Sequence, residues 1–206
     1  MTAARFITFE GIDGAGKSTQ IRLAADRLRN AGHQVVKTRE PGGSPGAEAI
    51  RDLLVTGDPG RWSAMTEILL FTAARRDHVE RTIQPALDAG QTVLCDRFAD
   101  STRVYQGVAS GDLVTKVEAL HALMIGIEPD LTIILDLDPR RGLERSYARG
   151  GDEDRFEARG LEFQSALRSG FLALADANPS RCRVVDANGP PADVAAKVAE
   201  AMDKHG

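Results

Sequence analysis

Apolar residues occur along this chain in short runs that alternate with longer stretches of helical periodicity. The short runs are bounded by glycine, proline or polar residues, as buried strands usually are. They predict strands over residues 6–9, 34–38, 92–95, 131–135 and 183–185. Because a stretch long enough for a helix separates successive runs, the pattern predicts strand–helix alternation along the whole chain.

The longer stretches carry apolar residues three or four positions apart, which predicts amphipathic helices. The first is expected to begin near Lys17 and to end at Gly32. The longest covers residues 65–87 and is expected to bend or shorten near Pro85, because proline cannot donate a backbone hydrogen bond. Further helices are predicted over residues 47–54, 114–125, 140–148, 155–175 and 192–202.

The alternation predicts an α/β fold in which a mostly parallel sheet of five strands is flanked by helices. A length of 206 residues suits one domain, so a single domain over residues 1–206 is expected. In such folds ligands bind at the carboxyl ends of the strands. Residues that directly follow the predicted strands are therefore the first candidates for a functional site.

Charge and composition exclude several kinds of partner. The net charge is −4, whereas a protein that binds duplex nucleic acid usually has a basic surface, so no nucleic-acid partner is expected. No apolar run is long enough for a signal or a membrane span, which predicts a cytoplasmic protein without a membrane partner. Cys95 and Cys182 lie in predicted strands and are expected to be buried thiols rather than a disulfide.

The segment Gly11-Ile-Asp-Gly-Ala-Gly-Lys-Ser18 matches the P-loop pattern in full, between an apolar strand and an amphipathic helix. Its glycines let successive backbone N–H groups face phosphate oxygens, and the start of the helix favours an anion. Lys17 is expected to reach the β- and γ-phosphates, and Ser18 to ligate Mg²⁺. The predicted nucleotide site comprises Gly11, Asp13, Gly14, Ala15, Gly16, Lys17, Ser18 and Thr19.

The class of P-loop protein depends on residues further along the chain. A regulatory GTPase would carry an Asn-Lys-x-Asp motif, and the sequence contains none. Asp96 and Arg97 directly follow the third predicted strand, beside the expected P-loop. Asp96 suits a Mg²⁺ ligand acting through water, and Arg97 suits a clamp on a transferring phosphoryl group. The alternative is a surface ion pair at a strand end.

Two other arginines are candidates for substrate binding. Arg39 follows the second predicted strand in a loop tightened by Pro41 and Gly42, where the alternative is a solvated loop arginine. Phe71 and Arg75 lie four residues apart and share a helix face. A ring and a guanidinium on one face suit stacking on a base and donation to its carbonyl. The alternative is a core phenylalanine beside a surface arginine.

Taken together, these segments resemble the thymidylate kinase family in its bacterial form, along essentially the whole chain. The resemblance is carried by Phe9-Glu-Gly-Ile-Asp-Gly-Ala-Gly-Lys-Ser18, Thr38-Arg-Glu-Pro-Gly-Gly43, Leu69-Leu-Phe-Thr-Ala-Ala-Arg75, Cys95-Asp-Arg-Phe98, Ser101-Thr102 with Tyr105-Gln-Gly107, and Asp154-Arg-Phe-Glu157. Many families share the P-loop, but the other segments at this spacing are far more specific. The resemblance implies a P-loop NTPase fold with a small mobile lid at about 145–157.

The implied reaction is phosphoryl transfer from ATP, with Mg²⁺, to thymidine monophosphate during deoxynucleotide biosynthesis. By resemblance, Arg39 and Arg97 should bind the acceptor phosphate, and Asp13 should meet its 3′-hydroxyl. Phe71 should stack on thymine, and Arg75 should donate to the thymine O4. The family also implies a homodimer that forms through helices from the middle of the chain.

The resemblance assigns further residues to the acceptor pocket. Ser101, Thr102 and Gln106 should line the part that holds the base. Tyr105 should crowd the 2′ position and so favour deoxyribose over ribose. A cis peptide bond before Pro41 is also implied by the resemblance.

The source of one catalytic arginine is left open by the sequence. Some family members carry an arginine in the P-loop, at the position that Gly14 occupies here, and the others are expected to supply it from the lid. The candidates are Arg145, Arg149 and Arg155, each of which has the alternative of a helix-surface residue. Arg149 is favoured because it adjoins the pair Gly150-Gly151 and has room to swing.

Two alternative functions remain at this point. The nearer one is a kinase for another nucleoside monophosphate or for a small metabolite. The other is a nucleotide-dependent switch, which would bind nucleotide tightly and show no stimulation by an acceptor. For a kinase no general base is required, because the acceptor is already an anionic phosphate, and alignment with charge neutralisation supplies the catalysis.

Overall fold

The computed structural model describes residues 5–58, 60–109, 113–149 and 160–205. Its sheet has five parallel strands in the order β2-β3-β1-β4-β5, which confirms the predicted α/β fold. The strands are β1 (Phe6–Glu10), β2 (Val35–Arg39), β3 (Thr92–Asp96), β4 (Leu131–Asp136) and β5 (Cys182–Asp186). Since all five run the same way, their carboxyl ends meet at one edge of the sheet.

Helices connect the strands and cover both faces of the sheet. They are α1 (Lys17–Asn30), α2 (Pro45–Val55), α3 (Ala64–His78), α4 (Gln84–Asp88), α5 (Ala99–Ala109), α6 (Leu113–Met124), α7 (Pro139–Arg149), α8 (Gly160–Ala177) and α9 (Pro191–Asp203). In the described part of the chain, no helix is both long enough and apolar enough to cross a bilayer.

The core lies on both faces of the sheet because parallel strands are apolar on both sides. Along β3, Leu94 packs into the larger cluster with α1, α8 and α9. Its neighbours Val93 and Cys95 point the other way, into a cluster with the segment 79–86. Cys95 and Cys182 are both buried and free, which confirms the prediction of structural thiols.

The longest helical stretch of the sequence is interrupted just before Pro85, as predicted. The pattern over 65–87 is one helical stretch, but the structure inserts a π-helical turn, Val79–Ile83, between α3 and α4. In this turn the backbone N–H of Gln84 donates to the carbonyl of Val79, five residues earlier. Pro85 follows directly, and its missing N–H explains why the regular helix cannot continue through this point.

Helix α5 is absent from the sequence prediction altogether. Its polar residues Asp100, Thr102, Arg103 and Gln106 are all buried, so its inner face is not an apolar stripe. Hydrophobic periodicity therefore gives no signal for a helix whose inner face is lined by hydrogen-bonding groups. This helix carries the candidate residues that follow Arg97.

A buried ion cluster attaches α5 to the sheet. The Asp100 carboxylate, 1% exposed, accepts hydrogen bonds from Arg103 at 2.9 Å and from Arg181 at 2.6 and 2.9 Å. The hydroxyl of Thr132 in β4 donates to the same carboxylate at 3.1 Å. Burial alone would raise the pKa of Asp100, but the hydrogen bonds and charges of the two arginines outweigh it and lower that pKa.

Asp100→Asn is expected to destabilise the fold by about 3–5 kcal/mol, because it leaves two poorly exposed guanidinium groups without their shared carboxylate. Urea unfolding at neutral pH measures the difference. Because the pKa of Asp100 is depressed in the fold, its stabilisation is present above about pH 4 and is lost as the pH falls further.

The matched control is Glu200→Gln, which removes one carboxylate charge from an exposed pair with Lys204. Its unfolding midpoint should equal that of the parent. An Asp100→Asn protein as stable as this control would show that the buried cluster contributes nothing to the attachment of α5.

Candidate active site

The P-loop occupies the connection between β1 and α1, at the centre of the sheet edge. Gly11 and Gly16 have φ angles of 135° and 92°, in the region that disfavours side chains. A Cβ atom on Gly11 would also lie 2.7 Å from the carbonyl oxygen of Leu135 in β4. Glycine is therefore required at position 11 both by the backbone conformation and by the adjacent strand.

Lys17 begins α1 and turns back over the loop. Its Nζ donates to the carbonyl oxygens of Gly11 at 3.2 Å and Ile12 at 3.0 Å. Burial and the nearby charge of Arg97 lower the pKa of Lys17 to about 8, while neighbouring carboxylates oppose the shift. The ammonium group is thus held over the P-loop, where it suits a bound phosphate.

Ser18 and Asp96, the two residues predicted to ligate Mg²⁺, lie side by side. The Ser18 hydroxyl donates to Asp96 Oδ2 at 2.7 Å. The two meet because Phe9 in β1 lies opposite Asp96 in β3, so the P-loop and the end of β3 emerge side by side. One carboxylate and one hydroxyl beside a phosphate cradle fit the oxygen ligands that Mg²⁺ prefers.

Arg97 has the unusual backbone of this site, with φ of 68°, in the left-handed region that few side chains adopt. Its guanidinium donates to Gly11 O at 3.2 Å, Ser101 Oγ at 3.0 Å and Asp13 Oδ1 at 2.5 Å. The same group lies over the Tyr105 ring, 5.2 Å from its centre. Strained backbone of this kind clusters at functional sites, where surrounding contacts hold it.

Asp13 belongs to the P-loop, and its carboxylate faces Tyr105 on α5. Burial raises its pKa, but the charges of Arg97 and Lys17 outweigh burial and hold the pKa below its usual range. The Tyr105 hydroxyl approaches Asp13 Oδ2 at 3.4 Å, and burial raises the pKa of Tyr105, so that its phenol stays protonated. The structure therefore brings Asp13, Lys17, Arg97 and Tyr105 together, while the roles that the sequence and the resemblance assign to them stay predictions.

A second charged group, the pair of Arg75 and Glu40, is buried where α3 meets α5. Arg75 is 4% exposed; its Nε donates to Glu40 Oε2 at 2.7 Å and its Nη2 to Thr102 Oγ1 at 3.0 Å. Its guanidinium also lies over the Phe98 ring, 5.0 Å from the centre. The alternative of a surface arginine is therefore wrong, since Arg75 is more buried than Phe71 on the same helix.

Glu40 is held in turn by α3. Its Oε1 lies 3.0 Å from His78 Nδ1, and the other ring nitrogen of His78 lies 2.6 Å from Thr38 Oγ1. The backbone of Gly43 lies close to the His78 ring: a Cβ on Gly43 would be 2.4 Å from His78 Nε2. The Glu40–Pro41 peptide bond is cis, as the resemblance implied.

Arg39, Phe71 and Gln106 were also predicted to bind the acceptor. Arg39 is opposite Asp96 in the sheet, but its guanidinium is exposed and pairs with Glu48 at 3.0 Å. Phe71 is half-buried on α3, and Gln106 is buried on α5 with no hydrogen bond to its Oε1 among the described residues. Binding of the acceptor by these three stays a prediction.

Helix α7 packs directly on the P-loop through two glycines. A Cβ on Gly14 would lie 2.2 Å from the carbonyl oxygen of Gly142, and a Cβ on Gly142 would lie 2.8 Å from that of Asp13. One turn after Gly142, Arg145 Nη1 approaches Gly14 O at 3.5 Å. Position 14 has no room for a side chain, because the backbone of α7, the helix that carries Arg145, packs directly against it.

The other lid candidates cannot be compared with Arg145. Arg155 and the side chain of Arg149 lie outside the described residues, as does most of the predicted lid at 145–157. The choice among the three arginines therefore stays a prediction. Of the three, Arg145 is the one whose side chain the structure places, and it lies at the P-loop.

Sequence reasoning missed two carboxylates and one amide at this site. Glu10 and Glu40 are both buried and accept hydrogen bonds from the segments that carry Arg97 and Arg75. Gln164 on α8 is buried beside Asp13 and helps to lower the pKa of the Asp13 carboxyl. The side-chain amide of Gln164 nevertheless makes no hydrogen bond of ordinary geometry to a described residue. A charged residue in an apolar strand, as Glu10 is, was the available signal.

Comparisons with known proteins agree with this geometry. The family model described as thymidylate kinase matches residues 9–198. Thymidylate kinase of Ruegeria pomeroyi is 63% identical over 97% of this chain and 95% of its own. That of Dinoroseobacter shibae is 64% identical over 94% of each chain.

A solved structure extends the agreement to the fold. The crystal structure of thymidylate kinase from Ehrlichia chaffeensis superposes with a TM-score of 0.80 at 35% sequence identity, over 97% of this chain and 99% of that one. Because the match includes the P-loop, the segment around Arg97 and the helices that carry Arg75 and Arg145, this chain belongs to the thymidylate kinase family.

Proposed function

We infer that this chain transfers the γ-phosphoryl group of ATP to thymidine monophosphate, giving thymidine diphosphate and ADP. The observation that carries the inference is the position of Arg97: its guanidinium contacts the P-loop, and the ring of the next residue, Phe98, lies under the guanidinium of Arg75. A phosphate held by Arg97 would lie next to the P-loop, while a base attached to it would extend toward Arg75. The family membership supports the same reaction.

The donor nucleotide occupies the P-loop. Its phosphates are held by backbone N–H groups of residues 11–18 and by the Lys17 ammonium group. Ser18 and Asp96 are the residues that would hold Mg²⁺, which when bound neutralises charge on the donor phosphates. Lys17 supplies a fixed positive charge at the point where negative charge grows on the transferring group.

The acceptor occupies the pocket between α3 and α5. Arg97 and Arg39 hold its phosphate, Asp13 accepts from its 3′-hydroxyl, and Tyr105 fills the space that a 2′-hydroxyl would need. Phe71 stacks on the thymine ring. The five donor hydrogens of a guanidinium allow Arg75 to keep its bonds to Glu40 and Thr102 while it donates to the thymine O4.

Transfer then depends on alignment rather than on covalent help from the protein. The acceptor phosphate is already an anion, so no group has to remove a proton from it. One arginine from α7 or the lid spreads charge on the transferring group, with Arg145, Arg149 and Arg155 as the candidates. Closure of the lid excludes water, which would otherwise accept the phosphoryl group.

The decisive experiment is ATP consumption by the purified chain, measured with and without thymidine monophosphate. Strong stimulation by this acceptor over other nucleoside monophosphates is expected. Stimulation by a different monophosphate would reassign the acceptor, and tight nucleotide binding without any stimulation would favour a nucleotide-dependent switch.

We also propose a cytoplasmic homodimer. Leu123, 79% exposed, and Met124 lie on α6, Met65 and Leu69 lie exposed on α3, and these two helices pack on each other. Four large apolar side chains left exposed on adjacent helices suit an interface better than solvent. The free buried thiols suit a reducing compartment.

Leu69→Glu is expected to convert the dimer to a monomer, because it would bury a charge at the contact. Light scattering measures the mass in solution. The matched control Glu144→Gln changes an exposed residue on α7 and should leave the mass unchanged. A parent protein with the mass of one chain would contradict the proposed dimer.

Phe71→Ala is expected to raise KM for thymidine monophosphate by about 5- to 150-fold, because stacking of a base on an aromatic ring is worth about 1–3 kcal/mol. KM for ATP should stay unchanged and serves as the internal control. Initial rates with one substrate varied at a time measure both values. Equal increases in both would place Phe71 in the core rather than in the acceptor pocket.

Gly142→Ala is expected to lower kcat by about 10- to 100-fold, because the new methyl group would push α7 and Arg145 away from the P-loop. The clash with the Asp13 carbonyl costs about 1–3 kcal/mol, more than the gain of about 1 kcal/mol by which alanine favours a helix over glycine, so the variant should also be slightly less stable than the parent. Glu144→Ala places alanine on the exposed side of the same helix and is the control. A Gly142→Ala enzyme with the parent's kcat would show that the close packing is not needed.

A further inference from the structure

Glu10 is the last residue of β1 and directly precedes the P-loop. Its side chain is fully buried, although glutamate is rarely buried without a specific partner. The proposed reaction gives it no role, since it faces away from the loop that holds the donor phosphates and toward the start of α5. A buried carboxylate at this point therefore requires an explanation of its own.

The contacts of Glu10 are all with the turn that carries Arg97. Its Oε1 accepts from the backbone N–H of Phe98 at 2.8 Å and of Ser101 at 3.3 Å. Its Oε2 accepts from the Ser101 hydroxyl at 2.6 Å. Glu10 thus caps the amino-terminal end of α5 from a different element, with a negative charge where the helix dipole is positive.

The Ser101 hydroxyl connects this cap to the guanidinium of Arg97. Because the hydroxyl donates its hydrogen to Glu10, its lone pairs face outward and accept from Arg97 Nη1 at 3.0 Å. Glu10 therefore determines which way the hydroxyl points. It also holds the backbone of Phe98 and Ser101, which follow the left-handed residue Arg97 and fix the chain as it leaves that strained position.

We propose that Glu10 is a positioning residue, which orients the guanidinium of Arg97 toward the acceptor phosphate through the hydroxyl of Ser101 and the capped start of α5. The inference rests on the proposed function, since it assigns Arg97 to the acceptor phosphate. Glu10 acts through these two groups and does not itself touch either nucleotide.

Burial and nearby charges cause Glu10 to gain or lose its proton near neutral pH. Burial and the charge of Asp100 raise the pKa of Glu10 to about 7, while Arg97 and the hydrogen bonds from Ser101 and Phe98 oppose the rise. Other titratable groups that interact electrostatically with it are Lys17 on α1, Cys95 on β3, Tyr105 on α5 and Cys182 on β5. Protonation would remove the acceptor on which the orientation of Ser101 depends.

The effects on stability and on function then have opposite signs. The folded pKa lies above that of an unfolded glutamate, about 4.3, so the folded state binds the proton more tightly. Stability linked to Glu10 is therefore greatest at low pH and is lost as the pH rises through about 7. Acceptor binding, which uses the charged carboxylate, improves over the same pH range.

Glu10→Gln keeps the size of the side chain and removes the charge. We expect KM for thymidine monophosphate to rise by about tenfold or more, with KM for ATP and the melting temperature no worse than in the parent. The exposed substitution Glu200→Gln is the matched control. A fall in melting temperature with both KM values unchanged would overturn the proposal and leave Glu10 a structural residue.

The relay through Ser101 is tested by two further variants. Ser101→Ala removes the hydroxyl and should reproduce the increase in KM for the acceptor, whereas Ser101→Thr retains the hydroxyl and should restore most of the affinity. In an Arg97→Ala background, Glu10→Gln should have no further effect on the acceptor KM, because residues that act through one group are not additive. Full additivity in this cycle would show that Glu10 does not act through Arg97.

The pH profile separates the charge of Glu10 from that of the substrate. In the parent, kcat/KM for thymidine monophosphate should fall as the pH drops through about 7, and Glu10→Gln should lose this limb. The second ionisation of the acceptor phosphate, near a pKa of about 6, is common to both proteins and cancels in their ratio. An identical profile in both would overturn the proposal, while a parent with no acceptor-stimulated activity would instead refute the proposed function and the inference with it.

Discussion

The parallel pairing register of β1 and β3 is the constraint on which this site depends. Because Phe9 lies opposite Asp96, the P-loop and the turn after β3 leave the sheet side by side. Ser18 therefore reaches Asp96, and Arg97 reaches the carbonyl of Gly11, without any long connection. A slip of one residue in the pairing of β3 with β1 would turn Asp96 to the opposite face of the sheet, away from Ser18.

The two buried guanidinium groups at this edge, those of Arg97 and Arg75, are each held by a carboxylate from another element. Asp13 of the P-loop holds Arg97, and Glu40 after β2 holds Arg75. Pairs of this kind offset part of the cost of burying charge, and they fix the guanidinium groups before any ligand arrives. Preorganised charge is what phosphoryl transfer requires from a protein, since little covalent chemistry remains for it to do.

Much of this arrangement follows from local sequence. Each of the five strands ends one residue beyond the predicted apolar run, at a charged residue, and the P-loop is recognisable because glycine, lysine and serine at fixed spacing are needed to hold phosphate. Asp96 and Arg97 were predictable because they directly follow an apolar strand. Helix α5 was not predictable from periodicity, because Asp100, Arg103 and Gln106 put polar groups on its buried face.

Local sequence was enough to locate the five strands, every long helix except α5, the phosphate-binding loop and the charged residues at the strand ends. Which of these charges are buried, and which groups hold them, depends on contacts that form only in the folded chain. Glu10 and Glu40 acquire their roles from partners far away in the chain, and Gly142 is needed only because α7 meets the backbone of Asp13. Local spacing determines periodicity and turns, whereas burial and hydrogen-bond partners depend on which distant segments the sheet brings together.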